Sequence, residues 1–136
     1  MKVFTITILL AFFAQFAFGA VQNPTAAKIQ GAEEKAMMVT WAALLTGNTG
    51  APVLNPTYRE RIVQASGTFG GATVVMEGSN DGTNWVTLTD TAATPANISF
   101  TATGIKKILM TTKFIRPNVS GGAGAAIDIN LLLVKP

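Results

Sequence analysis

The side chains that most often carry enzyme chemistry are scarce in this sequence. Its 136 residues include no cysteine and no histidine, which removes thiol nucleophiles, thiolate metal sites and the commonest general base. A catalytic site would need a carboxylate pair, a Ser-Lys pair or a threonine nucleophile. Glu77 and Asp81 flank one predicted turn, where exposure gives no desolvation to tune a carboxylate, and no serine has a lysine at motif spacing. We expect neither catalysis nor a bound cofactor.

One short segment gathers polar side chains of the kind that bind cations. Asn80, Asp81 and Asn84 surround an Asp-Gly pair that ends at Gly82. A calcium loop needs more carboxylates than this, including a bidentate glutamate. Asn, Asp and Gly are also the residues that tolerate the positive φ angles of a tight hairpin. We therefore interpret the segment as a β-hairpin turn and expect no metal.

Two tryptophans and one arginine complete the candidate binding residues. An aromatic ring can form a sugar-stacking platform, although packing in a core is its commoner role. Arg116, before a proline at a predicted strand end, could bind a carboxylate of a neighbouring subunit or remain an ordinary surface residue. The candidate residues for a protein interface are Trp41, Asn80, Asp81, Asn84, Trp85 and Arg116.

Charge is sparse and scattered along the sequence. Ten basic residues exceed seven acidic ones, but Lys106-Lys107 is the only adjacent basic pair. This distribution predicts solvated surface charge and no nucleic-acid partner. Charged residues form 12% of the chain, against about 25% in an ordinary soluble domain. Such a surface is suited to being covered by other proteins.

Two segments precede the domain that carries these residues. Residues 1–20 form an apolar leader with an early lysine and small residues at Ala17 and Gly19, which is typical of a signal peptide cleaved near Gly19. The alternative is a retained apolar arm; as a membrane span it is short, so no membrane is expected unless it serves as an anchor. Residues 21–37 predict an extended arm or linker, with one helical turn around residues 32–37.

The remaining residues, 38–136, have the texture of an all-β domain. Short β-rich runs alternate with Gly, Pro, Asn and Asp, and the last run places Ile127, Ile129, Leu131 and Leu133 on one face. This pattern predicts an antiparallel β-sandwich of jelly-roll type with about eight strands and an N-terminal arm. The predicted strands cover residues 39–41, 59–65, 73–78, 85–88, 98–101, 105–110, 114–118 and 126–134.

Four blocks in order carry a resemblance to a known family. They are WAALLTGNTGAP (residues 41–52), QASGTFGGA (64–72), EGSNDGTNWVTLTD (77–90) and FIRP (114–117), the last followed by Gly121-Gly122. Together they resemble a family of small tailed-phage virion proteins that includes capsid decoration, or cement, proteins. Within the third block, residues 78–85 also resemble a hairpin of discoidin-type carbohydrate- and lipid-binding modules. The leader and arm replace the short N terminus expected of the phage family.

The resemblance implies a structural protein of the virion, on the capsid surface. We expect a homotrimer that binds across adjacent major capsid protein subunits and slows their separation. One alternative is a secreted β-sandwich module, cleaved near Gly19, that binds glycans or other surfaces through Trp85. The second alternative is a phage tail or fibre component of the same sandwich type.

Overall fold

The computed structural model describes residues 19–29 and 35–136, so that most of the predicted leader lies outside the described residues. All regular elements within these ranges are β-strands, which confirms the all-β prediction. No helix in this part of the chain is long and apolar enough to cross a membrane. The twelve strands are β1 (Val21–Gln22), β2 (Thr25–Lys28), β3 (Ala36–Leu44), β4 (Thr49–Gly50), β5 (Val53–Leu54), β6 (Glu60–Thr68), β7 (Thr73–Ser79), β8 (Val86–Thr87), β9 (Ser99–Phe100), β10 (Gly104–Lys107), β11 (Phe114–Ser120) and β12 (Ala126–Val134).

The strands form two sheets that pack face to face. The first sheet has the order β1-β4-β11-β7-β8, with β5 also pairing with β11 and β9 with β7. The second has the order β10-β6-β12-β3-β2. The short strands β4 and β5 both pair with the same edge of β11, and β8 and β9 both pair with the same edge of β7. When each of these pairs is counted as one strand, the strand order is that of a jelly roll. Its neighbouring strands are antiparallel, and the exception is β1, which runs parallel to β4.

Alternating side chains of the long strands fill the space between the sheets. Ile127, Ile129, Leu131 and Leu133 of β12 are buried on one face, as the sequence predicts. Val74 and Met76 of β7 meet them from the other sheet. Complete burial of one such side chain stabilises a fold by about 1.5–3 kcal/mol, so this layer holds the sandwich together.

The structure adds strands where the sequence predicts an arm and a long turn. All eight predicted strands have counterparts, whereas β1, β2, β4 and β5 were not predicted. These four strands are two to four residues long, and none of them buries a face of apolar side chains. Their sequences therefore show no alternation of apolar and polar residues. The predicted helical turn is wrong at Ala36 and Met37, which begin β3, and residues 32–34 lie outside the described residues.

The connections divide the sandwich into two unlike ends. At one, the β6–β7 and β11–β12 loops meet, and Ala123 N donates to Gly70 O at 2.9 Å. Gly19 lies against Gly47 at this end, which we call the glycine end. The opposite end, called the hairpin end, carries the turn between β7 and β8 and the loop between β10 and β11.

Candidate functional site

The turn between β7 and β8 is held by one carboxylate. Asp81 Oδ1 accepts hydrogen bonds from Ser79 Oγ, Thr83 N and Asn84 N, each at 2.8 Å. Asp81 Oδ2 accepts from Asn84 Nδ2 at 2.7 Å, and Gly82 N donates to Ser79 Oγ at 2.9 Å. Gly82 has a φ of 78°, a conformation that glycine adopts without strain. We call this set of hydrogen bonds around Asp81 the Asp81 clamp. It supports the interpretation that Asn80, Asp81 and Asn84 form a hairpin turn, and it gives the exposed tip of the turn a defined shape.

These hydrogen bonds also set the ionisation of the clamp. Donation from the Asn84 side chain, then from the Asn84 and Thr83 backbone amides and from Ser79, lowers the pKa of Asp81 well below its usual range. The unfolded chain has no such donors, so it takes up a proton first as the pH falls below about 4. The stabilisation by the ionised carboxylate is complete above that pH and is lost as the pH falls toward the folded-state pKa.

We expect Asp81→Asn to reduce the loss of stability on acidification. The amide keeps one acceptor oxygen but has no proton to take up between about pH 4 and pH 2. Urea unfolding midpoints at pH 5, 3 and 2 measure the difference, and Glu60→Gln provides a control that removes an exposed carboxylate at the same end of the molecule. An equal acid-induced loss in wild type and Asp81→Asn would contradict this assignment.

Trp85 and Arg116 form a stacked pair beside the turn. The guanidinium carbon of Arg116 lies 3.8 Å from the centre of the Trp85 ring, which is cation–π geometry. Arg116 Nε also donates to Glu77 Oε2 at 2.8 Å, and Glu77 Oε1 accepts from Asn118 Nδ2 at 3.0 Å. The ion pair between Arg116 and Glu77 follows from the strand register, because Arg116 of β11 lies directly opposite Glu77 of β7. Arg116 thus pairs with a carboxylate of its own chain.

Trp41 does not belong to this surface. Its side chain is 0% exposed in the core, where the indole Nε1 donates to Ala51 O at 3.0 Å. Trp41 lies on the inward face of β3 with Val39, so packing between the sheets accounts for it. Its placement among the interface residues is therefore corrected: the structure brings the other five candidates to the hairpin end and leaves Trp41 inside.

An open groove lies beside the clamp. Its volume is about 480 Å³, and it combines polar atoms of the turn with the apolar side chains of Val86 and Met110, which are 53% and 37% exposed. Met110 could not be predicted as a site residue, because the loop from β10 to β11 approaches the hairpin only in the folded chain. The residues that line the groove are Gly78, Ser79, Asn80, Asp81, Asn84, Val86, Met110, Thr111 and Thr112.

A buried arginine fixes the loops under this groove. Arg61 of β6 is 2% exposed and donates from Nε to Asn55 Oδ1 at 2.6 Å, from one terminal nitrogen to Thr111 Oγ1 at 3.1 Å and from the other to Tyr58 O at 2.5 Å. Desolvation lowers its pKa, and no carboxylate of the described residues pairs with it. Asn80 Oδ1 adds a further tie by accepting from Lys113 N at 2.9 Å. These contacts join three segments, so the hairpin end is preorganised.

The two-sheet arrangement defines the chain as a jelly-roll β-sandwich with an elaborated hairpin end. The structure of the SPBc2 prophage-derived protein YomS shares this fold, with a TM-score of 0.59 and 12% sequence identity. The match covers 74% of this chain and 95% of YomS. At this identity the similarity concerns the fold. The sequence matches no protein-family model and gives no significant match to a curated protein.

Proposed function

We propose that the protein is a structural component of a phage particle, and that it acts as a capsid decoration protein. In this role the hairpin end binds across adjacent major capsid protein subunits and hinders their separation. The four sequence blocks that resemble phage virion proteins support the proposal, as does a fold shared with a prophage-derived protein. Catalysis has no part in the proposed role.

One observation carries the proposal: apolar side chains are exposed on a surface that the fold holds rigid. Val86 and Met110 stand beside the Asp81 clamp, and the buried Arg61 fixes the loop behind them. A preorganised surface loses little conformational entropy on binding, so more of the contact energy appears as affinity. Exposed apolar side chains in a groove are also a usual feature of protein-binding sites.

The same observations weigh against glycan binding through Trp85. A sugar would stack on an open aromatic face, but Arg116 covers one face of this ring at 3.8 Å. The Asp81 carboxylate accepts four hydrogen bonds from its own turn, so it has little capacity left for sugar hydroxyls. Protein binding uses the exposed apolar side chains that a sugar would not.

A homotrimer on the outer surface of the shell completes the proposal. Three copies joined together would bind several coat subunits at once, and avidity would then multiply a modest affinity per copy. The mass of the protein in solution, measured by light scattering, tests this part. A monomeric mass at all accessible concentrations would contradict the trimer and leave the binding surface to be tested separately.

The binding surface is tested with two matched substitutions. We expect Val86→Asn to weaken binding to capsid shells assembled without the protein by about tenfold, because one apolar side chain no longer transfers from water to the interface. Ile105→Asn, at an exposed position on edge strand β10, is the control and should bind as wild type does. Sedimentation of the shells with bound protein gives both affinities. Equal binding by Val86→Asn and wild type would contradict the proposed surface.

A further inference from the structure

Folding gathers basic side chains that are scattered along the sequence. Register places Lys28 opposite Met37 and Lys107 opposite Ile62, both near the hairpin end of the second sheet. Arg59 N donates to Val134 O at the same end, beyond the last pair of β6 and β12. These positions are far apart in the chain, so their proximity could not be read from the sequence.

The loops of the hairpin end add further cations. Lys135 N donates to Lys35 O at 2.7 Å, which places both lysines just beyond the ends of β12 and β3. Lys113 precedes β11, and its carbonyl oxygen accepts from Asn55 N at 3.0 Å. The exposed cations at this end therefore come from at least four separate segments of the chain.

The carboxylates of the same segments are fewer than these cations: Glu60 and Asp81 belong to the described residues, and Glu33 and Glu34 precede Lys35 in the sequence, outside the described residues. Glu60 is paired with Lys107 at 2.9 Å, and the Asp81 carboxylate is directed into its own turn. The glycine end is different, because its loops at residues 45–49, 67–72 and 120–126 contain no charged side chain. Cations therefore exceed carboxylates in the segments of the hairpin end, whereas these glycine-end loops carry no charge.

Apolar side chains are exposed at the same end. Of the seven large apolar residues that stand exposed in the described chain, Leu54, Val86, Leu109 and Met110 lie there. Leu54 pairs with Phe114 at the start of β11, and Leu109 N donates to Thr89 O. An interface that combines such side chains with cations is typical of protein recognition, in which charge sets orientation and apolar contact supplies affinity.

We propose that the hairpin end docks on an acidic protein surface, with carboxylates of the partner facing the lysines and Arg59 of this end. The inference rests on the proposed function and specifies the chemistry of the coat surface that this end recognises. A protein fits better than a nucleic acid because, among residues 19–29 and 35–136, none of the most exposed large apolar side chains is aromatic, whereas single-stranded nucleic acid is bound on aromatic rings. Backbone phosphates also offer nothing to the exposed leucines, valine and methionine.

Charge neutralisation with a matched control tests this docking. Lys28→Gln, Lys113→Gln and Lys135→Gln are combined in one variant, and Thr46→Asp, Thr68→Asp and Ser120→Asp at the glycine end are combined in another. Both variants lower the formal net charge by the same amount. We expect the lysine variant to bind capsid shells about tenfold more weakly at 50 mM salt and to lose most of the salt dependence of wild-type binding. The glycine-end variant should keep wild-type binding.

The outcomes separate this inference from the proposed function. Shell binding that is the same in wild type and the lysine variant would overturn the acidic surface while leaving decoration intact. If wild type binds no shells, decoration fails, and immobilised poly-L-glutamate then tests the charge directly. Retention on poly-L-glutamate that is lost in the lysine variant but not in the glycine-end variant would support the inference. Tighter binding to single- or double-stranded DNA than to poly-L-glutamate would overturn it.

Discussion

Replacement of Trp41 by alanine is expected to lower the free energy of unfolding by about 3–5 kcal/mol. The side chain is fully buried between the sheets, and its Nε1 satisfies Ala51 O. The indole is closely packed, because a Cβ at Gly50 would lie 2.6 Å from Nε1, and its removal therefore leaves a cavity in the core. Single domains are stable by only about 5–15 kcal/mol, so this loss would leave a marginal fold.

Urea denaturation followed by circular dichroism measures the effect, and Trp85→Ala is the matched control. Trp85 is half-buried, and its stacking on Arg116 is worth about 1 kcal/mol. The two tryptophans should therefore separate clearly in stability. A loss of stability in Trp85→Ala as large as that in Trp41→Ala would contradict the placement of Trp41 in the core and Trp85 at the surface.

Replacement of Gly122 by alanine is expected to cost about 2–4 kcal/mol, of which about 1–2 kcal/mol comes from left-handed backbone conformation. Gly122 has a φ of +64°, and an added Cβ would lie 2.5 Å from Gly71 C and 2.6 Å from Gly70 O. Backbone atoms cannot rotate away as a side chain does, so the β6–β7 loop and the β11–β12 loop would have to separate.

Gly121→Ala isolates the backbone contribution. Its φ of +69° is close to that of Gly122, but an added Cβ meets no atom within 4 Å. The difference between the two variants in thermal or urea unfolding therefore measures the close approach of the loops. If Gly121→Ala were the more damaging substitution, the contact between the two glycine loops would not hold the end of the sandwich as described.

Much of the fold could be predicted because buried β-strands alternate visibly. The spacing of two residues between Val74 and Met76, or between Ile127 and Ile129, predicts both a strand and the face that it buries. The extra strands β1 and β4 are held by backbone hydrogen bonds between short polar segments, which leave no such signal. The prediction of a helical turn was wrong at Ala36 and Met37 for a related reason. Pairing with β12 makes these two residues extended, although their local composition permits a helix.

The site was only partly predictable. Asn80, Asp81 and Asn84 could be found because turn chemistry is local, and the turn places Trp85 next to it. The residue type alone could not show whether Trp41 is buried or exposed, since tryptophan occurs both in cores and at binding surfaces. Arg61 and Met110 carry no local signal at all. Their importance comes from loops that meet only when the two sheets pack, as does the collection of lysines at one end.

Solvent protection of the hairpin end in assembled particles tests the central claim most directly. The chain has no cysteine, so a single cysteine introduced at Val86 can be labelled with a maleimide without background from other positions. Ile105→Cys, exposed on edge strand β10, provides the reference. Labelling rates are compared for free protein and for protein bound to capsid shells. We expect strong protection at position 86 and little at 105; shell-bound protein that is labelled at position 86 as fast as free protein would contradict binding through the hairpin end.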